Sequence, residues 1–159
     1  MLTLNEIISH ARDRSYMSGV DRDQVRVKQT QEVFTPTSMV QEVLDQLPQE
    51  LFTDPTQIYI DNSCGDGQFL SEALIRKVQN GIDFQTALES LRGVDMMKDN
   101  VIQTRERLLC GQEHLRYIVE KNIVCHNALD YNYKFDGKPK PKVSKINPVS
   151  LSPKLFDLS

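Results

Sequence analysis

Ile58-Tyr59-Ile60-Asp61-Asn62-Ser63-Cys64-Gly65-Asp66-Gly67-Gln68-Phe69-Leu70 reads as a strand, a turn and the start of a helix. Ile58 to Ile60 has the apolar, β-branched and aromatic character of a short buried strand. Gly65 and Gly67 carry no Cβ, so the backbone there can turn sharply and let a ligand approach closely. Phe69 and Leu70 then open an apolar pattern at helical spacing. Strand, turn and helix in this order form the first half of a βαβ unit, and such folds take ligands beyond the carboxyl end of the strand. The turn is therefore the candidate ligand site.

Downstream, Phe69, Leu70, Ala73, Leu74 and Val78 share one helical face that Gly81 closes, and Asp83 can cap a short helix carrying Phe84, Ala87, Leu88 and Leu91. Arg92-Gly93-Val94-Asp95-Met96 lies between two helical patterns and reads as a second strand. A helix from Lys98 to Leu109 should bury Val101, Ile102, Leu108 and Leu109, and residues 112 to 121 continue helically through Leu115, Ile118 and Val119. Ile123-Val124-Cys125 is the third strand. Strands alternating with helices predict an α/β fold, a partial parallel sheet of about three strands flanked by helices.

Upstream, Thr35 as N-cap and Pro36 at the first helical position introduce Met39, Val40, Val43, Leu44 and Leu47. Thr3 and Glu6 make a capping box for an amphipathic helix over residues 4 to 15. Ser18 to Gln31 is polar and locally basic through Arg26 and Lys28, which predicts an arm. Beyond Asp136 the chain is rich in proline and lysine and reads as an extended tail. The divisions are residues 1–31 (helix and arm), 32–136 (ligand-binding domain) and 137–159 (tail).

The 159 residues suit one domain with a core. Nineteen Lys and Arg against 22 Asp and Glu leave a net charge of -3, so any surface for nucleic acid must be local. Cys64, Cys110 and Cys125 follow no metal-ligand or disulfide spacing. No apolar run is long enough to span a bilayer and no secretory signal opens the chain, so the reading is a cytoplasmic protein with no membrane partner and no metal.

The residues around the turn narrow the ligand. A dinucleotide turn would have a third glycine at position 70, where this chain has Leu70, and would set a pyrophosphate at the helix start. Asp61 and Asp66 would repel it. The same acids suit a ligand with a cationic amine and ribose hydroxyls but no phosphate, and S-adenosyl-L-methionine is such a ligand. Asp95, ending the second strand, is placed to accept from ribose hydroxyls, and Asn127, after the third, can bind an adenine edge. Cys64 reads as a small packed side chain in the loop rather than a nucleophile. His10, His114 and His126 have no ligand spacing. Tyr131, Tyr133 and Phe135 either line an adenine pocket or pack beneath the loop, and the tail lysines either hold DNA phosphates or are a solvated linker.

The chain resembles the S-adenosylmethionine-dependent DNA methyltransferases that modify adenine N6. Val33-Phe34-Thr35-Pro36 with its helix, Asp61 to Leu70, and Gly93-Val94-Asp95 carry the likeness, with Asn127-Ala128-Leu129 as a further match, over roughly residues 26 to 136. The resemblance implies a Rossmann-like methyltransferase fold. It places Phe34, Thr35 and Pro36 at the cofactor, Thr35 and Pro36 meeting its methionine end. Asp61, Cys64, Gly65 and Gly67 form the cofactor loop, Asp95 holds the ribose and Asn127 meets the adenine. Asn62 stands where the family usually has proline. The family's block of Asp or Asn, Pro, Pro and Tyr or Phe, which grips a flipped-out adenine, has no counterpart here. Asn147 and Pro148 are the nearest text. The implied function is methyl transfer to DNA, alone or with a partner; the other reading is a cofactor-binding module without catalysis. In the family sheet the first strand is internal, so here one of its edges is expected to lie open, covered by residues 143 to 146 or by a second chain or second copy.

Overall fold

A computed structural model describes residues 1–17 and 35–138. The arm at Ser18 to Gln31, Phe34, residues 143 to 146, Asn147 and Pro148 lie outside the described residues.

Helix α1 (Leu4–Arg12) starts at the reciprocal Thr3–Glu6 capping box and buries Ile7 and Ala11. It stops at Arg12 rather than running to residue 15, and Ser15–Met17 forms a single 3-10 turn. Helix α2 (Thr37–Asp45) differs from expectation at its start: Pro36 is the N-cap and Thr35 lies one residue outside. Val40 and Leu44 face the core, whereas Met39 and Val43, one step round the helix, are 54% and 41% exposed. A short helix α3 (Glu50–Thr53) seats Phe52. Then follow β1 (Tyr59–Asp61), α4 (Gln68–Gln79), α5 (Phe84–Glu89), β2 (Leu91–Asp95), α6 (Lys98–Leu109), a 3-10 turn at Glu113–Leu115, α7 (Arg116–Asn122) and β3 (Ile123–Cys125).

The three strands form one parallel sheet in the order β1-β2-β3, with Tyr59 beside Leu91 and Gly93 beside Ile123. Strands that follow one another in order, joined by right-handed crossovers, put every connecting helix on the same face. On that face Tyr59, Leu91 and Ile123 join the core of Leu70, Leu74, Leu88, Leu108, Leu109 and Val119. Gly93 is needed there for space: a Cβ would stand 2.8 Å from Leu70 Cδ1 and 3.1 Å from Cys64 Sγ.

Alternation along the strands puts Ile60, Arg92, Val94 and Val124 on the opposite face. Val94 is buried, and the buried Phe135 lies beneath the Arg92 guanidinium at 5.5 Å, but neither belongs to the main core. The expected buried first strand is corrected here. Ile58 and Ile60 are 44% and 45% exposed because no described helix crosses that face at β1, which also forms the edge of the sheet. Ile102, expected to be buried, is likewise 45% exposed on the outer side of α6.

Candidate functional site

The carboxyl ends of β1 and β2 bring Asp61 and Asp95 onto the helix-covered side of the sheet, with the glycine turn between β1 and α4. Gly65 and Gly67 have φ of +53° and +91°, values that side-chain-bearing residues adopt only with strain. A Cβ on Gly67 would meet Thr104 at 3.0 Å, whereas beside Gly65 there is open space. The turn is thus packed on one side and accessible on the other.

Polar contacts hold it on several sides. The Gly65 N–H donates to Asp95 Oδ2 at 3.0 Å, and Thr104 Oγ1 donates to the Gly65 carbonyl at 2.9 Å. The Cys64 N–H donates to the Val94 carbonyl, extending β1–β2 pairing into the turn. Asp95 Oδ1 also accepts from the Met97 N–H at 2.8 Å. Oδ1 accepts a second bond, from Asn100 Nδ2 at 3.3 Å, so the oxygen with room for a ligand hydroxyl is Oδ2, whose one protein bond is to the Gly65 N–H.

Asp61 accepts from the Ser63 N–H at 3.0 Å. Burial raises its carboxyl above the ordinary range and the nearby Asp95 adds to this, opposed by the Ser63 N–H. Two acids competing for charge at the mouth of the turn favour a cationic or hydroxyl-bearing ligand. Cys64 is buried, and burial pushes its thiol well above the ordinary value, so it is inert packing and not a nucleophile.

Asp66 departs from its expected role. It is 2% exposed and turned away from the open side, bonded to Arg14 Nε at 2.8 Å and to the Tyr16 hydroxyl at 2.6 Å. Arg107 stands 3.7 Å away. With its charge matched by arginines, Asp66 does not face a ligand in the site, and the acids that do are Asp61 and Asp95.

Gln68 ties the upstream block to the turn. Its Nε2 donates to the Thr35 carbonyl at 2.9 Å and to Thr37 Oγ1 at 3.3 Å. Thr35 and Pro36 are so brought against the start of α4. Asn127 lies beyond β3, exposed, with its Oδ1 accepting from the Leu129 N–H at 3.0 Å. That bond makes it a turn residue, with its amide NH2 left for outside contacts. Tyr131, Tyr133 and Phe135 pack on one another edge-on, ring centroids 5.0 to 6.1 Å apart. This supports the packing reading of the three rings over an adenine pocket.

Arg14, Tyr16, Arg107, Thr104 and Gln68 were not singled out in the sequence. A buried Arg in a helix otherwise patterned for the core leaves no local signal, since its partners lie up to 96 positions away. Among the described residues no group of His, Cys, Asp and Glu can hold a metal, and no helix is long and apolar enough to cross a membrane. Two cavities of about 420 and 370 Å³ lie away from the turn. The first is a polar cleft over α2 and α4 around Glu72 and Arg76, the second an apolar groove by Met1, Ile82 and Phe84.

Comparison of the chain with protein-family models, with curated proteins and with solved structures finds no match.

Proposed function

We propose that this chain is the S-adenosylmethionine-binding part of a DNA methyltransferase-like protein that modifies adenine N6, built on a Rossmann-like sheet and acting in the cytoplasm. One observation carries the reading. Thr35 and Pro36, the Gly65–Gly67 turn and the carboxylates of Asp61 and Asp95 converge at the carboxyl ends of two parallel strands, with open space over Gly65. That donor set fits the cofactor: acids for an amine and for ribose hydroxyls, and a bare backbone for close approach. When bound, S-adenosylmethionine supplies an electrophilic methyl group on a sulfonium.

The chain's own residues do the orienting. Asp95 takes the ribose hydroxyls, Asp61 and the turn backbone take the methionine end with Thr35 and Pro36, and Asn127 presents its amide to the adenine. Such transfer depends on holding donor and acceptor in line, and needs no strong base. Among the described residues none would grip a target base, and on this reading a partner chain supplies that half. Among the described residues one edge of β1 is unpaired and Ile58 and Ile60 are exposed, which supports a covering partner. The same observation equally favours a cofactor-binding subunit without catalysis of its own.

Calorimetry of the folded chain with S-adenosylmethionine should show saturable binding, and its absence would refute the cofactor reading. Transfer of a labelled methyl group to adenine-containing DNA, with or without an added partner, separates enzyme from module. Deleting residues 138–159 with no change in stability or oligomeric state would exclude the tail as the cover of β1.

A further inference from the structure

We propose that Arg107 is a positioning residue of the candidate site, clamping the glycine turn to the end of α1 so that ligand affinity depends on the N-terminal segment. The inference relies on the cofactor reading for the identity of the ligand only. The guanidinium makes four hydrogen bonds. Nε and Nη2 donate to the Ala11 carbonyl at 2.9 and 2.7 Å, Nη1 donates to the Asp66 carbonyl at 2.7 Å, and Nη2 donates to Gln68 Oε1 at 2.7 Å. Its side chain is 3% exposed. No other side chain type could span these acceptors, because only the planar fork offers five N–H donors in fixed directions.

The turn needs such a clamp. Two residues at positive φ within three positions give a segment with wide backbone freedom, and freedom left in the unliganded site is lost on binding at the expense of affinity. Asp95 and Thr104 hold the Gly65 end. The Asp66 to Gln68 end is held by Arg107, and through the Asp66 carboxylate by Arg14 and Tyr16. Gln68 passes the constraint on to the Thr35 carbonyl. The last turn of α1, the 3-10 turn after it and the start of α2 thus converge on three consecutive residues of the turn. A buried cation costs folding energy unless it is fully bonded and neutralised, and here each partner either belongs to the turn or anchors it.

The test uses the full chain as wild type, Arg107→Gln, Arg107→Lys, Tyr16→Phe and, as a surface control, Arg116→Gln, whose ion pairs with Glu106 and Glu113 lie away from the site. Each variant is melted, titrated with S-adenosylmethionine and followed by hydrogen exchange at the amides of residues 64 to 68. Arg107→Gln should weaken binding by about tenfold or more and speed exchange at the turn while β2 and β3 stay protected. Arg107→Lys should recover part of both effects, and Arg116→Gln should change neither. A lower Tm with affinity and turn exchange like wild type would mean a merely structural role and overturn the proposal. If Arg107→Gln does not fold, Tyr16→Phe decides: faster turn exchange supports the clamp, and unchanged exchange overturns it. If the wild type binds no S-adenosylmethionine the cofactor reading fails, and the exchange result alone then supports or overturns the clamp.

Discussion

The two faces of the sheet are made differently. One is roofed by helices throughout, and its core runs from Ile7 in α1 to Ile123 in β3. The other has Phe135 under Arg92 and a buried Val94, and then opens at β1, where Ile58 and Ile60 meet solvent. The contrast shows where stability and chemistry were concentrated. Asp61, Asp95 and the glycine turn all belong to the roofed side, whereas among the described residues nothing covers the apolar surface at β1 on the other.

The largest test of this contrast is to truncate an apolar side chain on each face. Leu74→Ala, in the helical roof, should cost about 2 to 5 kcal/mol in denaturant unfolding. Ile60→Ala should stay within about 0.5 kcal/mol in the isolated chain. A comparable loss at Ile60 would mean that its face is covered in solution. Gly67→Ala probes the roofed side at the turn itself, where φ is +91° and Thr104 leaves only 3.0 Å. It should cost about 1 to 3 kcal/mol and depress ligand binding, and a neutral result would show that the turn relaxes freely.

Asp95→Ala should weaken S-adenosylmethionine by about 1 to 3 kcal/mol, read by calorimetry. Unchanged affinity would leave Asp95 only its bonds within the protein, to the Gly65 and Met97 N–H groups and the Asn100 amide. The smallest effect is expected at Asp61. Burial holds its carboxyl above the ordinary range, so folding favours the neutral form. At pH below the unfolded value both states are protonated and nothing is lost; as pH rises through the raised folded value, the whole penalty sets in. Asp61→Asn keeps an acceptor for the Ser63 N–H and should raise Tm by a few degrees at pH 7. The gain should vanish near about pH 3, below the ordinary carboxylate pKa. A gain of equal size at both pH values would assign it to packing instead.

Periodic and local features were legible in the sequence. The Thr3–Glu6 box, the Asp83 cap, α6 from Lys98 to Leu109 and the third strand at Ile123 to Cys125 all stand where the pattern put them. What failed was orientation. Met39, Val43 and Ile102 carry apolar side chains at helical spacing yet face outward, because the face that meets the core is set by the partner helix and not by the helix itself. Thr35 lies one residue outside α2, and what ties it to the fold is its carbonyl, which accepts from Gln68 across the turn. Asp66 looked like an acid of the site, and neither Arg107 nor Tyr16 is near enough in sequence to reveal otherwise.

The sequence by itself determined the order of elements and the bend between β1 and α4, since capping, helical period and glycine freedom act within a few residues. Only the tertiary structure decided which carboxylates face the site. Asp61 and Asp95 stay beside the open turn because parallel pairing of β1 with β2 puts them there. Asp66 is turned inward because Arg14 and Tyr16, just after α1, and Arg107, in α6, enclose it. Charge pairing over such separations is set by packing, and no local pattern encodes it.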